Sequence, residues 1–171
     1  SDHFVRQGPV DGTLGVIRAM VQTGDGRLWL GGSRGLWVRG PEGFRTLGDS
    51  VSAIGDIQAL AAAADGSLWV GTTRQGLVQL AADGTLRAHL RADGADGALP
   101  DDQIRSLLKT RSGELWVGTM NGIALHQPED GRFLTWKYDA GDAGSPAGSR
   151  IAALYEDREG LIWIGSWTGG F

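Results

Sequence analysis

The sequence contains no cysteine, which excludes disulfides, thiolate metal sites and cysteine nucleophiles. That absence leaves the compartment open, because cysteine-free chains are tolerated in oxidising and reducing surroundings alike. Basic charge is not in excess either. Sixteen Lys and Arg stand against 20 Asp and Glu, for a net charge of -4. Nucleic-acid binding needs a basic face, so that class of partner is set aside. No apolar run comes near the roughly 20 residues that a helical membrane span requires, so no direct membrane contact is expected. No basic-then-apolar signal segment opens the chain, which reads as cytosolic or as a mature piece excised from a longer protein.

Glycine, by contrast, is abundant at 29 of 171 residues, against roughly 7% on average. In helix interiors each would cost about 1 kcal/mol relative to alanine, so a helical bundle is excluded. No Gly-X-Y period exists, which excludes collagen. A hydrophobic content of 41% with seven tryptophans is too apolar for a disordered chain. The composition describes a turn-rich, all-β protein.

Internal repetition is the main signal. Four segments share one pattern: Asp25 to Gly31, Asp65 to Gly71, Ser112 to Gly118 and Glu159 to Gly165, each with a glycine second and tryptophan fifth. Their tryptophans, Trp29, Trp69, Trp116 and Trp163, are spaced 40, 47 and 47 residues apart. Twelve residues before each stands an isoleucine, Ile17, Ile57, Ile104 or Ile151. These eight residues form the expected repeat core, with the tryptophans packed between units.

Each unit reads as four short strands. The isoleucine opens the first, as in Ile17-Val21, and a tight turn carrying Gly26, Gly66, Gly113 or Gly160 follows. Asp-Gly between apolar runs is a hairpin signal, read here as a type I′ turn. The tryptophan strand is second. Third strands are expected at Gly35-Arg39, Gly76-Leu80 and Gly122-His126, and fourth strands at Phe44-Leu47, Leu86-Leu90 and Phe133-Tyr138. The stretch Ala59 to Ala64 has helical propensity, yet it aligns without gaps to first strands elsewhere, and the repeat decides for strand.

Four strands at a period of 40 to 47 indicate a β-propeller blade. The fold class is therefore all-β, a propeller of four-stranded antiparallel blades, with about three and a half to four blades present as part of a larger ring. Residues 17–47, 57–90 and 104–138 form complete blades, and 151–171 an incomplete fourth. His3 to Gln7 precedes Ile17 as Phe44 precedes Ile57, and so reads as an outer strand of a preceding or last blade. The chain reads as cut from something longer. Open blade edges predict either a homo-oligomer or contact with the rest of a parent propeller, with head-to-tail closure between two chains favoured.

The repeats resemble the two-component regulator propeller repeat, with its motif Asp-Gly-x-Leu-Trp-x-Gly-Thr-x-x-Gly-Gly-Leu. It stands here as Asp65-Gly-Ser-Leu-Trp-Val-Gly71 continuing to Leu77, and as Glu159-Gly-Leu-Ile-Trp-Ile-Gly165 continuing to Phe171. The link from Tyr138 to Ile151 is also similar to the family's. Departures are Gly32, where threonine is usual, and Asn121 before Gly122. The resemblance implies the periplasmic sensor portion of a bacterial membrane signalling protein, whose output module is a histidine kinase or diguanylate cyclase. Such a piece performs recognition of a ligand, or scaffolding, without catalysis. A weaker likeness to streptogramin lyase propellers carries the alternative of a lyase or hydrolase, and a purely structural assembly module is a third reading.

No catalytic constellation emerges from the residues. His3, His89 and His126 lie in different units, with no metalloprotease spacing and no serine elbow. Asp93, Asp96, Asp101 and Asp102 lack the order of a calcium loop, and Gly31 to Gly35 joins strands without a helix N-terminus to hold phosphate. Neither cofactor nor metal is expected. Ligand recognition has better grounds. The loops between second and third strands share a rim with the inter-blade links, and they carry Arg34, Arg74, Asn121 and Trp167. Inner strands carry polar residues at one equivalent position, Arg18, Gln58 and Arg105, with Ala152 in the fourth. Arginines there suit a carboxylate or sugar hydroxyls, so the expected partner is a small molecule or oligosaccharide.

Overall fold

A computed structural model of the chain describes residues 14–47 and 54–168. The described residues contain fourteen strands and no helix. The first sheet is a meander of β1 (Ile17–Gln22), β2 (Leu28–Gly32), β3 (Gly35–Gly40) and β4 (Gly43–Thr46). The second comprises β5 (Ile57–Ala62), β6 (Leu68–Thr72), β7 (Leu77–Leu80) and β8 (Leu86–Leu90). The third comprises β9 (Ile104–Lys109), β10 (Leu115–Thr119), β11 (Gly122–His126) and β12 (Phe133–Trp136). The last sheet holds β13 (Ile151–Glu156) and β14 (Ile162–Ser166). All pairings are antiparallel. The expected strand at His3 to Gln7 lies outside the described residues.

First strands β1, β5, β9 and β13 lie side by side, and β2, β6 and β10 each pack on the first strand of the next sheet. The result is an open arc of blades, a partial propeller. Small shifts separate expectation from observation: β4 ends at Thr46 instead of Leu47, β7 starts at Leu77 instead of Gly76, and β12 stops at Trp136 instead of Tyr138. The alanine-rich stretch is strand as far as Ala62, with Ala61 paired to Trp69 and Ala62 to Leu68.

The hairpin turns differ from the expected type I′. Glycines 26, 66, 113 and 160 have φ between 79° and 93°, but no residue other than glycine has positive φ among the described residues. Asp25 and Asp65 therefore cannot occupy a type I′ turn, which needs positive φ at both central positions. In the first hairpin the Gly26 N–H donates to the Thr23 carbonyl, and the Thr23 N–H to that of Arg27. This is a three-residue loop, a type I turn closed by a glycine bulge, and the same pair of bonds recurs at Ala63, Thr110 and Asp157. Asp25 and Asp65 serve the turn with their carboxylates, accepting from the N–H of Arg27 and Ser67.

The blade junctions explain the repeat core. A Cβ on Gly31 would stand 2.5 Å from Cγ2 of Ile57, and one on Gly71 would stand 2.5 Å from Cγ2 of Ile104. Gly118 meets Ile151 in the same way, at 2.7 Å. Each glycine after a tryptophan thus clears the seat for the isoleucine that opens the next blade. The tryptophan covers the rest of the junction: Trp29 clusters with Ile57, Leu68 and Val70, and Trp69 with Ile104, Leu115 and Phe133. Three expected core residues depart from this rule: Trp116 is half-buried and stacks on Trp136, and the other two are more open. Ile17 is 36% exposed and Trp163 is 50% exposed, because no described blade precedes the first or follows the last. The departure at Gly32 is also explained, since a Cβ there would run into the Val16 carbonyl oxygen.

Candidate functional site

The polar residues singled out on the inner strands share a structural device. Ile17 pairs with Gly32 and Ala19 with Gly31, so Arg18 is the extra residue of a β-bulge. Gln58 and Ala152 occupy the same bulge in β5 and β13, and Arg105 does so between Ile104 and Ser106. A bulge re-aims its side chain out of the pleat alternation. These four positions therefore stand at one level of neighbouring strands, at the rim where each inner strand begins.

The same rim is closed by a fourfold-repeated hydrogen bond. Ser33 donates its N–H to the carbonyl of Val16, Thr73 to Asp56, Met120 to Gln103 and Trp167 to Arg150. Each joins a loop between second and third strands to the residue just before the inner strand, so loops and links do share this rim. The threonine of the Gly-Thr pair stabilises the loop from inside. Thr72 Oγ1 donates to the Gly76 carbonyl and accepts from the Gln75 N–H, and Thr119 Oγ1 does the same with Gly122 and Asn121.

Within this rim, two of the expected residues meet. The Arg105 guanidinium lies over the Trp167 ring, 5.1 Å from its centroid, and Trp167 is 57% exposed. Arg18 is ion-paired with Asp56 of the following link, a partner that sequence alone did not single out. Gln58 is half-buried. Arg34, Arg74 and Asn121 are exposed, each on its own loop, and they line none of the larger clefts. Those clefts lie elsewhere. One of about 550 Å³ is bordered by Trp136, Tyr138, Asp139 and Asp142, one of about 470 Å³ by Glu42, Phe44 and Arg45, one of about 440 Å³ by His89, Arg91 and Arg132, and a smaller one of about 320 Å³ by Lys109, Glu114, His126 and Glu129.

The acidic residues serve the fold. Asp102 accepts from Arg91 and from the Ala92 N–H, Asp101 from the Gln103 N–H, and Asp96 pairs with Arg132. Asp65 is held down to about 2 by hydrogen bonds from Ser67 and Arg87. Glu156 takes both the N–H and the guanidinium of Arg111, tying the third blade to the fourth. No group of three or more metal-ligating side chains comes together among the described residues.

His126 is more than a solvated strand residue. Its ring sits 5.1 Å from that of Trp69 and 5.3 Å from that of Phe133, at the junction of second and third blades. Burial, and next the Lys109 charge, lower its pKa, while Asp130 and Glu129 oppose the shift. A histidine held neutral in the fold costs stability once the unfolded chain takes up a proton. Stability should therefore be full above the ordinary histidine value of 6.5 and fall as pH drops below it. In His126→Phe the fall in Tm between pH 7 and pH 5 should be smaller than in the wild type; equal slopes would remove this role.

Comparison with known families bears on the same units. The two-component regulator propeller family matches residues 12–34, 98–121 and 145–168, which cover the inner and tryptophan strands of the first, third and fourth blades. No curated protein matches the chain in sequence. Among solved structures, the chain is similar to the extracellular domain of a candidate one-component system of B. thetaiotaomicron. There the TM-score is 0.71 at 23% identity, over 87% of this chain and 19% of that one. The extracellular domain of a candidate hybrid two-component system of the same organism gives 0.72 at 17%, over 88% and 22%. Virginiamycin B lyase of Staphylococcus aureus gives 0.67 at 12%, over 93% and 52%. At these identities the likeness is one of fold, and the chain spans about a fifth of the length of the first two. Isoleucine meets glycine in register at every junction between the described blades, and three of the four units match the two-component regulator propeller family.

Proposed function

We propose that this chain is the propeller part of the sensor region of a bacterial signalling protein, and that it recognises a small ligand at the bulge rim without catalysis. The observation that carries the reading is the Arg105–Trp167 pair, contributed by two adjacent blades. A guanidinium stacked on an indole uses its face and leaves its planar N–H fork for carboxylates or vicinal hydroxyls. The exposed indole beside it offers an apolar platform for a ring. Together they suit an acidic or neutral saccharide. The repeat family and the two extracellular sensor domains of like fold support an extracytoplasmic placement, in the periplasm. No helix among the described residues is long and apolar enough to cross a membrane. The kinase or cyclase output belongs to the parent protein in this proposal.

The test is a thermal-shift screen of acidic and neutral saccharides against wild type and Arg18→Ala/Arg105→Ala, followed by calorimetry of any hit. A ligand present at 100 times its Kd should stabilise the wild type by about 2.7 kcal/mol, and the double variant should lose most of that response. An undiminished response in the variant refutes the rim as the site. Chromatography of the ligand after incubation tests the rest: a converted product would replace the sensor reading with a lyase or hydrolase.

A further inference from the structure

Because the blades repeat, one junction shows what packing alone requires of the next. Where the second blade meets the first, β5 and β7 end on Ala62 and Leu80, both paired with Leu68. Leu68 and Leu80 are wholly buried, so an apolar filling closes this corner. The same corner of the third blade holds Lys109, paired with Leu115, and His126, which follows the Leu125 partner of Trp116. Leu115 belongs to the Trp69 cluster and the His126 ring packs on Trp69, so both polar residues face the second blade. They stand at the hairpin-turn ends of the strands, opposite the bulge rim.

A groove of about 320 Å³ opens at this corner, lined by Lys109, Glu114, Leu115, His126, Pro128 and Glu129. Its volume is at the lower end for ligand clefts, and its charges are ordered. Lys109 is half-buried, donates to the Gly113 carbonyl and makes no ion pair among the described residues. At the equivalent place in the fourth blade, Glu156 is clamped by Arg111. The His126 ring nitrogens have no hydrogen-bond partner among the described residues. A cation drawn partly out of water without a counter-charge is costly, and burial lowers the Lys109 pKa against the opposing charges of Asp65 and Glu114. Glu114 and Glu129 are exposed at the mouth. Donors thus lie inside and carboxylates outside.

We propose that this groove binds the zwitterionic end of a small aliphatic α-amino acid, its carboxylate on Lys109 and His126 and its ammonium on Glu114 and Glu129. A simple anion would meet the two glutamates, and a simple cation would meet Lys109. A ligand carrying both charges satisfies both layers, and Leu115 and Pro128 offer an apolar wall to its side chain. Asp65, across the junction, does not compete for Lys109, because the Ser67 N–H and Arg87 hold its carboxylate. The groove is separate from the bulge rim, and recognition of a saccharide there plays no part in this inference. Around His126 stand Lys109, Glu129 and Asp130 of its own blade, and Asp65 with Arg87 on the second. Of these only Lys109 and Arg87 share the sign of an imidazolium. A bound carboxylate adds a partner for the charged ring, so binding should tighten as pH falls from 7 to 6.

The experiment is calorimetric titration of L-leucine and L-valine into wild type, Lys109→Gln and Glu129→Gln. Two further probes, 4-methylpentanoate and 3-methylbutylamine, each keep one charged group of leucine. Lys109→Gln preserves the turn, since Gln22 makes the same bond to the Gly26 carbonyl in the first blade, and circular dichroism on each variant checks the strands. At least one amino acid should bind the wild type, more tightly at pH 6 than at pH 7. Each substitution should weaken it about tenfold or more, as loss of a charge-assisted contact does, and the single-charge probes should bind more weakly still. No binding of either amino acid overturns the proposal. So does an affinity that both variants leave unchanged, which would put the ligand elsewhere. A single-charge probe that matches leucine overturns the zwitterion, and an affinity indifferent to pH removes His126 from the site.

Discussion

Gly71→Ala is expected to destabilise the protein by about 3 kcal/mol, the upper end of the usual cost of overpacking. The added Cβ would lie 2.5 Å from Cγ2 and 3.0 Å from Cβ of Ile104, whose side chain is wholly buried. Both contact atoms lie on a β-branched side chain with little χ1 freedom, so relief requires the second and third blades to separate. Gly24→Ala is the control. Nothing stands within 4 Å of a Cβ there and its φ is not positive, so its effect should stay within about 0.5 kcal/mol. Urea denaturation of both measures the difference. Ile104→Ala supplies the second arm: in that background the alanine at position 71 should cost much less, since groups in contact do not act additively. Equal costs in both backgrounds would show that the isoleucine seat is not what the glycine provides.

Trp69→Ala should cost about 3–5 kcal/mol, the range for removing a large buried aromatic side chain. Trp69 is 4% exposed and belongs to the cluster of Leu77, Leu99, Ile104, Leu115, Val117 and Phe133. Truncation would open a cavity between two blades and remove the ring that packs on His126. Trp163→Ala, at the equivalent repeat position, should cost about 1 kcal/mol or less, because its indole is half in water. Its Nε1 donates to Asp157 at 2.8 Å, so the loss is a surface hydrogen bond and part of an apolar face. Equal effects at the two sites would mean that repeat position, and not the neighbouring blade, sets the energy.

The strand arrangement was legible because the repeat is short-range chemistry written four times. Ile104, twelve residues ahead of Trp116, opens a strand that pairs with the tryptophan strand across one tight turn. The alanines around Leu60 show the strength of that signal, since register with the other units outweighed their helical propensity. The turn type was read less well. Asp-Gly marks a type I′ turn and also a type I turn followed by a glycine bulge, and one residue of loop length separates the two. At the rim, the polar character of Arg18, Gln58 and Arg105 was visible. That each is the odd residue of a bulge was not, because a bulge belongs to a pair of strands and neither strand alone encodes the mismatch.

What the sequence by itself determined is therefore the blade: four strands, the tryptophan and isoleucine positions, and the glycines that let them meet. These depend on local pattern and on a partner at a fixed distance along the chain. Only the tertiary structure decided which copies of the pattern are buried and which rim residues have partners. Ile17 and Trp163 carry the same signature as Ile57 and Trp69, yet they face water because burial requires a neighbouring sheet. Arg18 finds Asp56 and Arg105 finds Trp167 across 38 and 62 residues of chain. Contacts of that kind depend on how blades are stacked, and stacking is a property of the whole arc.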